Sequence, residues 1–585
     1  MRRPSLPGCV PTLLTALLVG LPHALAAEDR PRYERRWVYS MTNLQVKENA
    51  DRLIELIGRA RHAGFNGLVL ADYKLNILDR VPDHYAVNVR RVQAAADAAG
   101  VEIIPAIFPI GYSNGLLAHD PNLAEGLPVV RAPFVVRDGQ VVAAFDPGPL
   151  LKNGDLEDAR GDTFTGYAFQ DGPGSSTFVD TRVVHQGQRA LRIEVGQGEG
   201  PNRRITQRVA LRPHTAYRFS AWVKTEGLDH AESFRLLALG AGPGKQGQAL
   251  TFFEGGVAAT QDWRRVDVVF NSLEHAAATL YVGVWGSGRG RLWIDQIACE
   301  PLGLVNVLRR PGCPLTVESE DGATTYVEGK DFEPVRDPKL GSVPYLGEFE
   351  FDHEPAVIRV AGSSRLREGQ RLRVSWYHPV LTHGSQIMCC PSEPKTLDLL
   401  RDQARRVTDL LHPRTFFLSH DEIRVLNWCR ACRDRSLTPG QILAENVRQC
   451  RAILREVQPN AELVIWSDMF DPFHNAVSNY YLVNGTLDGS WLGLDPSITV
   501  ANWNGGRKRQ SLDFFAQRGH RQLLAGYYDT EDLSGFTGWN EAAAHVAGVD
   551  GFMYTTWQAK YRLIDAYGRA IEAVRTSQPP LSRRK

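Results

Sequence analysis

At 585 residues the chain exceeds one ordinary domain of roughly 100–200 residues, so a large catalytic-size unit with smaller modules is expected. Hydrophobic residues make up 43% of it and charged residues 23%, which excludes extended disorder. Lys+Arg (67) balance Asp+Glu (66) to a net charge of +1, so nothing electrostatic points to nucleic acid or an anionic membrane as partner.

The chain opens on what reads as a secretory signal peptide, 1–26. Arg2 and Arg3 precede the apolar run Val10–Leu21, and Ala24-Leu25-Ala26 is a small-residue cleavage site. Leu6-Pro7-Gly8-Cys9 resembles a lipoprotein box but lies before the apolar run and is discounted. No other segment approaches 18 uninterrupted apolar residues, so a secreted or periplasmic protein without membrane insertion is expected.

Strand-like Arg36–Ser40 follows, then a helix with Leu53, Ile54, Ile57 and Ala60 on one face, closed by Gly64. Gly67–Asp72 is apolar on both faces, as a buried parallel strand requires. A second helix carries Val89, Val92, Ala96 and Ala99, and a third strand is expected at Val101–Phe108. The rhythm then stops and resumes near Pro394. Helix Leu397–Leu411 leads to strand Thr415–Ser419, and Thr438-Pro439 starts another helix. Further strands are expected at Leu463–Trp466, Ile498–Trp503, Gln522–Tyr528 and Gly551–Trp557. Three strands before the break and five after it complete an α/β chain, a (β/α)8 TIM barrel interrupted after strand 3.

The interruption is β-rich. Residues 148–302 alternate in short runs without helical period, which predicts a β-sandwich. Asn153–Glu157, Gln188–Arg192, Tyr217–Trp222 and Trp293-Ile294-Asp295 resemble jelly-roll carbohydrate-binding modules; a sandwich that binds no sugar is the alternative. A small β-rich segment spans 303–380. The barrel is thus expected in two parts, 27–147 and 381–578. Leaving after strand 3 places the insert beside the mouth where barrel active sites are built.

Without Cys9, seven cysteines remain: Cys299, Cys313, Cys389, Cys390, Cys429, Cys432 and Cys450. Cys389-Cys390 with Cys429-x-x-Cys432 would suffice for a structural zinc. Export favours disulfides or free buried thiols instead, and no catalytic metal or other cofactor is expected.

Strand ends are where a barrel carries chemistry. They supply Asp72; His420-Asp421-Glu422 and then Arg424; Trp466-Ser467-Asp468; Trp503; Tyr527-Tyr528-Asp529; and Trp557. Carboxylates suit proton donation and charge stabilisation, and flat aromatics suit sugar faces. No Gly-rich phosphate loop follows a strand, and no G-x-S-x-G elbow occurs. A lone strand-end Asp is often a helix cap. An adjacent Asp421-Glu422 pair is costly at a barrel mouth unless used.

Residues 411–560 resemble glycoside hydrolase family 20, the β-N-acetylhexosaminidases, whose fourth strand ends in an Asp-Glu pair. The resemblance implies Glu422 as general acid. It implies that Asp421 holds the substrate acetamido group, whose carbonyl oxygen is the nucleophile. Tyr527 and Asp529 match the family's Tyr-x-Asp at strand 7, and Trp466, Trp503 and Trp557 its acetamido pocket. Pro105-x-Ile107-x-x-x-Gly111 echoes its third strand. Three positions depart: Trp37–Asn43 lacks the family's sugar-gripping arginine, Ala559 replaces an acid, and His420 a glycine. The expected function is a secreted glycoside hydrolase acting on a glycan, with Asp72, His420, Arg424 and Asp468 completing the binding shell. Two alternatives stand beside it. One is a retaining enzyme with Asp468 or Asp529 as nucleophile; the other is a non-catalytic glycan-binding protein.

Overall fold

The computed structural model describes residues 30–576 except 147, 197–199, 201, 243–246, 253–255 and 287. The signal-peptide expectation, 1–26, lies outside the described residues.

Eight parallel strands close a barrel: β1 (Arg35–Met41), β2 (Gly67–Ala71), β3 (Glu102–Ile107), β4 (Thr415–Leu418), β5 (Glu462–Trp466), β6 (Thr499–Asn502), β7 (Gln522–Tyr527) and β8 (Val549–Thr555). Closure runs through β1, which pairs Trp37 with Gly67 on one side and with Met553 on the other. Strand alternation sorts the side chains. Tyr39, Val69, Ile104, Phe417, Trp466 and Met553 fill the lumen, while Val38, Leu68, Ile103, Phe416 and Phe552 pack outward under the helices. Both faces of each strand are therefore buried, which is why the strands read as apolar throughout.

Helices α1 (Lys47–His62) and α2 (Asp83–Ala99) bury the faces their spacing predicts, and α2 ends on left-handed Gly100 at φ 65°. After the insertion come α3 (Pro394–Leu411) and α4 (Pro439–Val457), the latter opened by a Thr438–Gln441 capping box. Helices α5 (Lys508–Gln517), α6 (Ser534–Ala543) and α7 (Ile564–Ala573) follow β6, β7 and β8.

The (β/α)8 pattern is incomplete. Among the described residues no α-helix joins β5 to β6; that link carries two 3-10 turns, Asp468–Phe470 and Ser490–Gly493. Pro472, Gly485, Gly489, Gly493 and Pro496 punctuate the segment and deny it a helix. Instead Leu482–Val483 pairs in parallel with Val425–Leu426, tying the β5 loop to the β4 loop.

The insertion begins earlier than its alternation suggests. Leu127–Arg137 and Gln140–Ala143, expected within the first barrel part 27–147, are strands of a six-stranded sheet. Leu127–Arg137 lies antiparallel to Arg371–His378, and Thr316–Ser319 continues the sheet. The small β-rich unit thus brackets the sandwich: its strands precede it and follow it. No local signal betrays a partner some 240 residues downstream.

Between those brackets the sandwich stacks a five-stranded sheet on a four-stranded one. Inward-facing Phe219, Ile294, Leu236 and Val282 form its core. Its edge meets the barrel mouth, where the Phe252 ring lies 4.7 Å from that of Tyr481 on the β5 loop. The insert therefore stands on the side of Glu422, as its exit from β3 predicts.

Candidate active site

Glu422 follows β4 with a left-handed backbone, φ 49°. A non-glycine residue there is strained, and strain of this kind gathers at functional sites. Surrounding groups hold it. Its amide donates to Asp468 Oδ2 at 2.9 Å, and its carbonyl accepts from Gln386 Nε2 at 3.0 Å. Gln386 Nε2 also donates to the Gly111 carbonyl at 2.9 Å, locking the β3 and β4 ends together.

Gly111 is required by close approach, since a Cβ there would lie 1.9 Å from the Asp421 carbonyl oxygen. Gly111→Ala should therefore push the Asp421–Glu422 turn out of place. Overpacking of this sort costs about 1–3 kcal/mol. The melting temperature should fall, and a variant with the wild-type value would show that the turn does not need Gly111.

Both Glu422 oxygens have donors. Tyr112 donates its hydroxyl to Oε2, and Arg424 Nη2 pairs with Oε1 at 2.7 Å. Arg424 is buried, donates also to Gln386 Oε1, and lies 4.9 Å from the centre of the Tyr481 ring. Asp421 opens partly towards the mouth, yet its carboxyl is held well above the usual carboxylate range. Burial is the main cause, and the charges of Asp468 and Glu422 add to it.

Asp468 is fully buried and pushed up to about 7, again chiefly by burial. Its oxygens are occupied: Oδ2 accepts from Glu422 N and from Asn475 Nδ2 at 2.9 Å, and Oδ1 from Trp503 Nε1 at 3.2 Å. It positions Glu422 and Trp503 rather than facing a ligand, which counts against Asp468 as a nucleophile. An unfolded Asp ionises near ~3.9. Between that value and about 7 the folded chain binds the extra proton, so stability falls as pH rises through this window and then levels off. Asp468→Asn should remove roughly 2–3 kcal/mol of the stability difference between about pH 5 and about pH 8. Denaturation at about pH 5 and about pH 8 measures it; an unchanged slope would remove Asp468 as its source.

Aromatic rings wall the mouth. Tyr528 and Trp503 are parallel at 6.1 Å, and Tyr528 meets Trp557 edge-on at 6.0 Å. Trp466 forms the floor, 5.6 Å from Tyr39 and 6.1 Å from Trp557. Trp557 is the open rim, 42% exposed. Charge interactions of Tyr39 and Tyr528 with Asp421 place both phenols beside the carboxylates.

The structure thus gathers Asp421, Glu422, Arg424, Asp468, Trp466, Trp503 and Trp557, and gives the four other expected residues these partners. Asp72 caps the turn Tyr73–Asn76; it accepts from Lys74 N and Leu44 N at 2.9 Å and from the Tyr85 hydroxyl at 3.0 Å. His420 is buried against α4, hydrogen-bonded to Asn446 at 3.1 Å, and burial pushes it down to about 4, so it is a neutral core residue. Tyr527 is also core, stacked on Tyr554 at 4.1 Å. Asp529 binds the Thr556 hydroxyl and Trp557 N, joining the β7 and β8 ends.

One backbone feature explains the tyrosine shift. Tyr527, Tyr528 and Asp529 have φ values of 83°, 51° and 57°. Strand alternation would place Tyr527 in the lumen with Leu523 and Ala525, but the left-handed turn sends it outward and swings Tyr528 in. Sequence reasoning also missed Tyr39, Tyr112 and Gln386. Tyr112 directly follows Gly111 and Tyr39 nears the end of β1, which were the signals available.

Comparison with known proteins covers the insert best. Residues 148–288 match the family model described as a carbohydrate binding domain. A solved family 16 carbohydrate binding module is 18% identical, over 26% of this chain and 99% of its own, at a TM-score of 0.19. A β-N-acetylhexosaminidase crystal structure is 10% identical, over 93% of this chain and 71% of its own, at a TM-score of 0.38. The chitobiase of Flavobacterium johnsoniae is 9% identical, over 90% of this chain and 45% of its own, at 0.34. No curated protein matches the sequence.

Proposed function

We propose that the chain is a glycoside hydrolase whose sandwich holds glycan near the barrel mouth. The observation that carries this is the convergence of Asp421, Glu422 and Asp468 under a wall of Trp466, Trp503, Tyr528 and Trp557 at the strand C-termini. The carbohydrate-binding match over 148–288 is in keeping with it.

In this reading Glu422 is the proton donor and Asp421 orients a 2-acetamido group whose carbonyl oxygen attacks the anomeric carbon. Tyr112 and Arg424 align the Glu422 carboxyl until the glycosidic oxygen replaces them. Asp421 lies close enough to Glu422 for the charge of Glu422 to help hold the Asp421 carboxyl above the usual carboxylate range.

A specific observation favours a second reading. A carboxyl with donors at both oxygens, beside a second carboxyl held well above the usual range, also suits a retaining enzyme, in which Glu422 attacks and Asp421 donates. The deciding experiment is turnover of aryl 2-acetamido glycosides and plain aryl glycosides, with and without a thiazoline inhibitor. Selective turnover of the acetamido sugars with thiazoline inhibition supports the first reading. Turnover of plain glycosides, with a fluorosugar adduct on Glu422, supports the second. No turnover of any glycoside, with glycan binding intact, overturns both in favour of a binding protein.

A further inference from the structure

A second cluster of reactive side chains lies where the insertion leaves and rejoins the barrel. There the outgoing and returning chains run side by side: Glu125 N donates to the Met388 carbonyl at 2.8 Å, and Cys390 N to that of Leu123 at 2.7 Å. The β4 loop closes over them with Cys429-Arg430-Ala431-Cys432 on a single helical turn, so both sulfurs face one side. Cys390 Sγ is 3.4 Å from Cys429 Sγ and 3.5 Å from Cys432 Sγ. Glu125 completes the group. Its Oε1 accepts from Trp428 N at 2.7 Å and Cys429 N at 2.9 Å, which turns Oε2 towards Cys429 Sγ (3.4 Å) and Cys432 Sγ (3.8 Å). All four residues are buried, and their ligand atoms lie within 4.8 Å of one another.

We propose that Glu125, Cys390, Cys429 and Cys432 bind one structural divalent ion of the zinc class, clamping both ends of the insertion to the loop that follows Glu422.

Distance and donor set argue for a metal. A disulfide needs its sulfurs near ~2.05 Å. Thiolates around tetrahedral zinc, at ~2.3 Å from the ion, lie ~3.8 Å from each other, close to the spacing found. One sulfur in contact with two others, plus a carboxylate, is a coordination shell rather than a pair. C-x-x-C is the spacing that shell uses. Charge points the same way. Three buried thiols around a buried carboxyl satisfy one another poorly. A dication would let all four ligands ionise. The buried Arg310 guanidinium beside them, anchored to the Ala124 carbonyl at 3.0 Å and to Glu393, offsets part of the remaining negative charge.

A surrounding group is in place too: Ser392 Oγ lies 3.3 Å from Cys432 Sγ. Four protein ligands leave no open position, so the ion is structural. Cys389 is not a ligand. Its amide bonds to Ser113 Oγ at 2.9 Å, and its thiol interacts with Ser113 instead.

The test is elemental analysis of the full chain purified without chelator. About one zinc per chain is expected, falling to near zero in Cys429→Ser and Cys432→Ser and unchanged in Cys389→Ser. Where the serine variants fail to fold, cobalt-grown wild type decides. Strong thiolate-to-cobalt charge-transfer absorption with tetrahedral d–d bands is expected. Absence of both metal and that spectrum, or an intact mass showing hydrogens lost to disulfides among these cysteines, would overturn the proposal. Loss of zinc in Cys313→Ser with retention in Glu125→Gln would overturn Glu125 as fourth ligand. None of these readouts depends on glycoside turnover.

Discussion

Glu422→Gln should lower glycoside hydrolysis at least ~10²-fold, the scale of general acid catalysis, or about 2.7 kcal/mol of barrier. Glutamine keeps the shape of the side chain and one oxygen to accept from Tyr112, but it has no proton to give and no charge to pair with Arg424. The turn itself should persist, because the Glu422 amide and carbonyl are held by Asp468 and Gln386 and not by its side chain. Glycan affinity should therefore stay within a few-fold of wild type. The leaving group supplies a finer check. An acid is needed most where the departing oxygen is basic, so the loss should be large on an alkyl glycoside and small on a nitrophenyl one. Near-wild-type rates on the alkyl glycoside would sink the assignment.

How much of this was legible follows from where each signal lives. The eight barrel strands were readable because each is buried on both faces, and Val69, Phe417 or Leu524 tolerates no polar alternation there. The restart at Pro394 was readable because proline at the first helical position is local chemistry. Long-range pairing was not: nothing in Leu127–Arg137 announces Arg371–His378 as its neighbour. The missing β5–β6 helix was visible in Pro472, Gly485, Gly489 and Pro496, yet the barrel template overrode them. At the site, residue types were right and faces partly wrong. Asp421, Glu422 and three tryptophans converge, but the turn at Tyr527 exchanged which tyrosine enters the lumen, and no pattern of period two encodes a positive φ. Asp72 took the ordinary role of a strand-end aspartate, a cap. The cysteines divided otherwise than by adjacency. Cys390 joins Cys429 and Cys432, Cys389 turns away, and a glutamate with no motif of its own completes the cluster.

Asp421→Asn should lower the rate on a 2-acetamido glycoside by at least ~10²–10³-fold, the scale of removing one preorganised charge-stabilising group. At rest, burial and the charges of Asp468 and Glu422 hold the Asp421 carboxyl well above the usual carboxylate range. When the acetamido oxygen attacks, positive charge grows on that group beside the carboxyl. The low-dielectric setting that penalises a lone Asp421 anion then strengthens its attraction to the new cation. Asp421 releases its proton to water before the attack, and the carboxylate left behind is stabilised more by the developing cation than by anything in the free enzyme, which is the differential that accelerates a reaction. Asparagine can accept a hydrogen bond but cannot ionise. The pH profile carries the sign. Because Asp421 holds its proton above the usual carboxylate range, the acid limb of kcat/KM should lie above that range in wild type and vanish in Asp421→Asn. The charge of Glu422 helps hold that proton, so Glu422→Gln should lower the limb without abolishing it. A thiazoline that mimics the bicyclic intermediate should bind wild type far more tightly than Asp421→Asn, since only a carboxylate can pair with its charge. Equal rates, an unmoved acid limb and equal thiazoline affinity in the variant would show that no charge develops beside Asp421. Both readings would then fail, because the retaining alternative needs Asp421 as its acid.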